Sequence, residues 1–353
     1  MRIHSLFIVI ALLPLACKKE TRQIKEIESA PIAGNALCFG NTWHFDHFYQ
    51  GYKGSYGSFT VHSMPIVYDN KVYLFDPSLN QIRIYDGTSW YSISSQIPFD
   101  DAVGFGFTLG NKGYLATGFG DEFWQYNFAT NGWTKKADFP GSAIDPSTVC
   151  LFTIGTRGYV AGGAAPWGEY FNTLWEYDQA SNAWTKKASM FFNIGYAAGF
   201  SIGNKGYIVN GAADWPIINS LVYTDQVMEY NQATNTWSVK ADFPGGPRKG
   251  CQAFVIGGEA YVGGGDHGGW THRFTDYYKY NPQTDSWKQV SDIPVKSDTF
   301  FSFSINGKGY VVFYPDLNEQ PSGKQFMYKY TPKTCVTPID TTIIVNGGPA
   351  EIQ

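Results

Sequence analysis

The chain has 353 residues, of which 43% are hydrophobic, 39 are glycine and only 16% are charged, with a formal net charge of −4. That length admits one large domain or two smaller ones, and the glycine-rich composition with no sustained 3.6-residue periodicity excludes a helical bundle. With no Lys/Arg cluster after residue 24, a nucleic-acid groove is excluded as well.

In chain order, residues 1–16 read as a targeting segment. Arg2 supplies a positive start, Leu6 to Leu13 form an apolar stretch too short to span a bilayer, and Leu15-Ala16-Cys17 ends a small-residue cleavage site. The segment resembles a bacterial lipoprotein signal, which implies lipidation of Cys17; Pro14, three positions before it, departs from that pattern. An ordinary secretory signal cut nearby, with Cys17 incidental, is the alternative. Residues 17–35 read as a polar tether. Within it, Lys18-Lys19-Glu20 resembles the charged signals that send some lipoproteins of Bacteroidetes-type bacteria to the cell surface. The expected location is the cell envelope, at the outer membrane, periplasmic or surface-exposed, with membrane contact through the lipid alone.

From residue 36 to 338 one motif recurs: a Tyr, six residues rich in Asn, Asp, Thr and Ala, then a Trp. It spans Tyr126 to Trp133, Tyr177 to Trp184, Tyr230 to Trp237 and Tyr280 to Trp287, with a shorter copy from Tyr85 to Trp90. A period of 43 to 53 residues between successive Trp positions points to a propeller or solenoid. Upstream of each copy an apolar run contains a Tyr, usually after Gly: Val72-Tyr73, Gly113-Tyr114, Gly158-Tyr159, Gly206-Tyr207, Ala260-Tyr261 and Gly309-Tyr310. Most of these runs end in glycine, where the chain turns tightly or another backbone comes close. Two strands, a loop of variable length, a third strand ending at the Tyr and a fourth opening at the Trp make one four-stranded blade.

This pattern resembles the Kelch repeat family, whose blades carry a Gly-Gly pair, a Tyr and a Trp at comparable spacing. The resemblance covers about residues 37 to 337. It implies an all-β, six-bladed propeller with four antiparallel strands per blade, and it implies that the repeat Tyr and Trp rings pack between blades. Blade 1 has Phe75-Asp76 and blade 6 has Phe313-Tyr314 where the family has Gly-Gly.

Register also predicts how the ring closes. Tyr330-Thr331-Pro332-Lys333-Thr334 matches Tyr280-Asn281-Pro282-Gln283-Thr284, yet Thr337 stands where the Trp belongs. The missing half appears at the other end, where Gly40-Asn41-Thr42-Trp43 matches Thr234-Asn235-Thr236-Trp237. An N-terminal strand around Trp43 is therefore expected to be the outer strand of blade 6, which removes two exposed sheet edges. Cys38 and Cys335 flank that seam and are candidates for a disulfide in an oxidising compartment. Cys150 and Cys251 lie on the first strands of non-neighbouring blades and read as small core residues. Residues 339–353 are a tail.

Function is sought where the repeat departs from itself. In Kelch propellers the connections between second and third strands, together with the segments entering each first strand, build one face that commonly binds ligands. The long connections here carry Trp167, Asp214, Trp215, Asp266, His267, Trp270, His272 and Arg273; the entering segments carry Asp101, Asp145, Arg248, Lys249 and Asp298. None of those Trp residues is in the repeat register, so blade packing does not account for them. Indole rings beside carboxylates, His and Arg suit a sugar, which offers a C–H face and hydroxyls; rings stapling long loops to the rim are the structural alternative. The expectation is a monomeric, non-catalytic binding module for a glycan or an extracytoplasmic protein, without cofactor or metal, since the six His are scattered. The alternative is an epimerase or mutarotase resembling the periplasmic sialic-acid epimerases. Galactose-oxidase copper chemistry is rejected because the cysteines fall on core strands and chain ends and no His pair matches.

Overall fold

A computed structural model describes residues 37–49, 65–99, 103–117, 121–141, 144–145, 148–215, 220–268, 272–296, 299–313 and 325–336. The signal, the tether and the tail expected from the sequence lie outside them. Among the described residues there are six four-stranded antiparallel sheets. Blade 1 runs Ile66–Tyr68, Lys71–Asp76, Gln81–Tyr85 and Trp90–Ser94; blade 2 runs Val103–Leu109, Lys112–Thr117, Phe123–Asn127 and Gly132–Lys135. Blade 3 is Cys150–Ile154, Arg157–Ala161, Leu174–Asp178 and Ala183–Lys186, and blade 4 is Ala198–Ile202, Lys205–Val209, Val227–Asn231 and Thr236–Lys240. Blade 5 is Gln252–Ile256, Glu259–Gly263, Tyr277–Asn281 and Ser286–Gln289. Blade 6 combines Thr299–Ile305, Lys308–Phe313 and Gln325–Thr331 with the N-terminal strand Thr42–Tyr49. The first strand of each blade touches the next blade, and blade 6 touches blade 1, which closes the ring.

The N-terminal strand pairs as the register required, Trp43 opposite Tyr330, with a bulge between Phe45 and His47. Asp46 sits at that bulge, where its carboxylate accepts from the Tyr85 hydroxyl of blade 1 (2.5 Å) and from Lys329 of blade 6 (2.7 Å). A separate small unit pairs Leu37–Phe39 with Thr334–Val336, the strands that carry Cys38 and Cys335.

One stitch repeats between neighbouring blades and explains the Tyr-to-Trp motif. In blade 3 the Tyr177 hydroxyl donates to Asn182 Oδ1, that oxygen also accepts from the Ala137 amide of blade 2, and Trp184 Nε1 donates to the Ala137 carbonyl. Blades 4 and 5 repeat it through Tyr230, Asn235, Trp237 and Ala188, and through Tyr280, Asp285, Trp287 and Ala241. The Asn and Asp positions have left-handed backbone (φ 52, 52 and 46°), which short polar side chains tolerate. The Tyr rings are buried, and each fully buried ring contributes about 1.5–3 kcal/mol of apolar transfer.

Cys150 and Cys251 are free and buried, and burial pushes both thiols up to about 12. Blade 1 lacks the glycine pair because Asp76 caps a 3-10 turn over Pro77–Leu79, its carboxylate accepting from the Leu79 amide.

Candidate functional site

Blades 3, 4 and 5 carry an extra layer that blades 1, 2 and 6 do not show among the described residues. In blade 4 the entering segment Asn193–Gly195 pairs with Ala212–Trp215, which pairs with Ser220–Tyr223, as a three-stranded sheet of its own. Blades 3 and 5 hold the same arrangement in miniature, as bridges Asp145 to Ala164 to Tyr170 and Lys249 to Asp266 to Arg273. Glycines make room for it: a Cβ on Gly162 (φ 63°) would lie 2.3 Å from the Ile194 carbonyl, and one on Gly265 (φ 83°) 2.4 Å from the Lys249 carbonyl. Backbone bonds then join one blade to the next, Tyr196 N to Thr148 O (2.8 Å), Gly211 N to Arg248 O (2.8 Å) and Gly250 N to Tyr196 O (2.9 Å). The loop side of blades 3 to 5 is thereby one rigid platform.

Arg248 does not reach the surface of that platform. Its side chain is 0% exposed, stacked 3.7 Å over Phe274 and paired with Asp276 through Nη1 (2.6 Å) and Nη2 (3.1 Å). Nε donates to Gly246 O, Nη1 also to Gly264 O, and Nη2 also to Gly245 O, so all five donors are engaged. Arg248 is a clamp inside blade 5 and has nothing left for a ligand. A buried cation needs this complete set of partners to offset its desolvation.

Lys249, the next residue, goes the other way. Its ammonium lies 5.3 Å from the Tyr196 ring centre and 6.0 Å from that of Tyr223, within cation–π range. Tyr170 reaches Tyr196 from blade 3 (6.5 Å between rings), and His267 stands edge-on to Tyr223 (4.9 Å). Burial, and then the nearby Asp145 carboxylate, raise the Tyr196 phenol above its ordinary value. Asp145, Tyr170, Tyr196, Tyr223, Lys249 and His267 thus converge from three blades.

The other sequence candidates fall around this cluster. Trp167 is 70% exposed at the tip of a turn closed by Ala165 N to Glu169 O (2.7 Å). The Asp266 carboxylate caps its own loop by accepting from the Gly268 amide (3.0 Å). His267 and His272 are exposed and Arg273 half-buried. Asp214 and Trp215 lie on the strand Ala212–Trp215; their side chains, and Trp270, Asp101 and Asp298 entirely, lie outside the described residues. Tyr196 escaped sequence reasoning. It occupies the register of Thr148 and Gly250, each two residues before the paired positions Cys150, Ala198 and Gln252, and a large aromatic in that place was the available signal. Among the described residues no group of three or more His, Cys, Asp or Glu is placed to hold a metal.

A Kelch motif is recognised over residues 247–294, which is blade 5 with its entering segment. The solved structure of YjhT superposes with a TM-score of 0.58 at 15% identity, covering 79% of this chain and 95% of that one. The chain folds as a β-propeller with a Kelch motif in its fifth blade. It is 37% identical over 106 residues to an N-acetylneuraminate epimerase of Escherichia coli O157:H7, covering 26% of this chain and 29% of that protein. The Shigella flexneri epimerase of the same name is 39% identical over 97 residues, 24% of this chain and 26% of the relative. These matches span under a third of the relatives' own length.

Proposed function

We propose that this propeller binds an acidic monosaccharide at the loops of blades 3 to 5 and interconverts its anomers. The observation that carries the reading is the convergence of Asp145, Tyr196 and Lys249 on one platform, in a chain similar to proteins named N-acetylneuraminate epimerases. Anomer exchange breaks the bond between the ring oxygen and the anomeric carbon. A proton leaves the anomeric hydroxyl, its electron pair closes the carbonyl, and the ring oxygen takes up a proton; reclosure on the other face reverses each step. The reaction needs one proton acceptor and one donor on a positioned sugar. The Tyr196 phenol, kept protonated by burial and by Asp145, is the donor, and the Asp145 carboxylate is the acceptor.

Magnetisation-transfer NMR on N-acetylneuraminate tests this directly. Exchange above the spontaneous rate is expected with the wild-type protein, falling roughly 10²-fold in Tyr196→Phe and Asp145→Asn. A wild-type protein that adds nothing to the spontaneous rate would sink the catalytic reading.

A second reading, a non-catalytic module for a glycan or an extracytoplasmic protein, is favoured by Trp167, which is 70% exposed. Sugar binding without exchange would select it. Under either reading the chain is proposed to be a monomer anchored to the cell envelope through lipid on Cys17, so Cys17→Ala should shift it out of the membrane fraction with the propeller still folded.

A further inference from the structure

We infer that Lys249 is the specificity-determining residue of the site: it reads the negatively charged substituent of the ligand, and Tyr196 and Tyr223 hold it in place to do so. The inference rests on the sugar-binding reading above and adds the residue that decides for acids over neutral sugars.

The sequence offers two adjacent cations, and in a segment paired like a strand successive side chains point to opposite sides. Arg248 turns inward, with all its donors satisfied by Asp276 and three carbonyls. Of the two, Lys249 is the one left on the platform side. Its backbone is fixed on both groups, Lys249 N to Asp266 O (3.0 Å) and Asp266 N to Lys249 O (2.9 Å), and the flanking Arg248 O and Gly250 N are each bonded to blade 4. A side chain hung from so constrained a segment loses little further freedom on binding a ligand.

Its ammonium lies against the Tyr196 and Tyr223 rings, and among the described residues no carboxylate forms an ion pair with it. Tyrosine faces attract the ammonium but leave its three N–H donors for oxygen acceptors. Tyr196 is held to this role at a conformational cost: its φ is +56°, where the equivalent Gly250 of blade 5 has +68°. A bulky residue in the left-handed region persists only where its surroundings impose it. Here Thr148 O and Gly250 N bond both of its backbone groups, and the ring stands 37% exposed beside the ammonium. Titratable groups gather around Lys249 from three blades: the Tyr196 and Tyr223 rings face it, Asp145 lies near Tyr196, His267 stands edge-on to Tyr223, and Asp266 is opposite it in the bridge.

Three probes separate the outcomes by calorimetry: N-acetylneuraminate, its methyl ester, which lacks the charge, and N-acetylglucosamine 6-sulfate, which carries a different oxyanion. Wild type is expected to prefer the acid to the ester by about tenfold or more, and Lys249→Met, which keeps the aliphatic stem, to abolish that preference while leaving ester affinity within about twofold. Lys249→Arg should restore part of it. Binding of the sulfated sugar that is also lost in Lys249→Met would extend the role to any oxyanion; binding of the acid alone would restrict it to carboxylates. Equal affinity of wild type for acid and ester, or a preference that survives in Lys249→Met, overturns the inference while the sugar reading stands. Failure of all three probes to bind wild type overturns both. Unchanged thermal unfolding of the variants shows that the fold is intact.

Discussion

Trp43 and Ser291 are separated by 248 positions in the chain, yet the indole Nε1 of one donates to the carbonyl of the other at 2.8 Å. Asn41 completes the contact, its Oδ1 accepting from the Tyr330 hydroxyl (2.8 Å) and the Ser291 amide (3.4 Å). This is the stitch of blades 3, 4 and 5, here assembled from both ends of the sequence. The indole packs against Tyr277 (4.8 Å) and Tyr330 (5.0 Å). Trp43→Ala is therefore expected to cost about 3 kcal/mol in chemical unfolding. Trp43→Phe, which keeps a ring and loses only the hydrogen bond, should cost about 1 kcal/mol. Equal, small losses for both would mean that the seam does not hold the ring.

The strands bearing Cys38 and Cys335 pair with each other, and a disulfide between the two is expected under oxidising conditions. A non-reducing peptide map should join them, and reduction should lower stability by about 3–5 kcal/mol. Free alkylation of both thiols without reductant would exclude the bond.

Gly206 explains why Gly precedes Tyr in most second strands. A Cβ there would stand 2.2 Å from the Phe152 ring of the preceding blade, and Gly158 and Gly309 meet Phe107 and Phe254 in the same way. Gly206→Ala should destabilise by about 1–3 kcal/mol through overpacking. Combining it with Phe152→Leu, which vacates the contact, should recover part of the loss; strict additivity would argue against a steric cause.

Asp285 occupies the turn position that is Asn in the neighbouring blades. Burial pushes its carboxyl up, but the Ala241 amide, the Tyr280 hydroxyl and Lys240 outweigh it and hold the carboxyl below the ordinary aspartate value. The folded protein thus binds this proton less readily than the unfolded chain. Its stabilisation is complete above about pH 4 and fades as pH falls through the folded value. Asp285→Asn keeps the acceptor oxygen, so it should leave stability near pH 7 almost unchanged and flatten the acid limb of the stability profile. Unfolding midpoints from pH 2 to 7 measure the difference, and an unchanged acid limb would count against it.

Trp167 is exposed on its loop, so Trp167→Ala should leave the melting temperature nearly unchanged. If its ring touches ligand, binding should weaken by about 2 kcal/mol, as for an interface aromatic. A large loss of stability would instead assign it to packing.

Much of the architecture was legible in the chain. Blade register, strand order within each blade and closure through Trp43 follow from short-range patterns, because blades 2 to 6 repeat one local solution of a Tyr, an Asn or Asp turn and a Trp, with a Gly under a neighbour's ring in blades 3, 4 and 6. The site obeyed no such repeat. Whether Arg248 or Lys249 lies on the platform depends on where Asp276 and Phe274 lie, and Tyr196 joins the cluster only because Thr148 and Gly250 of other blades fix it in the left-handed region. Local periodicity determined the fold of this protein; contacts between non-repeating loops of three different blades, which no single segment encodes, decided which side chains share its candidate site.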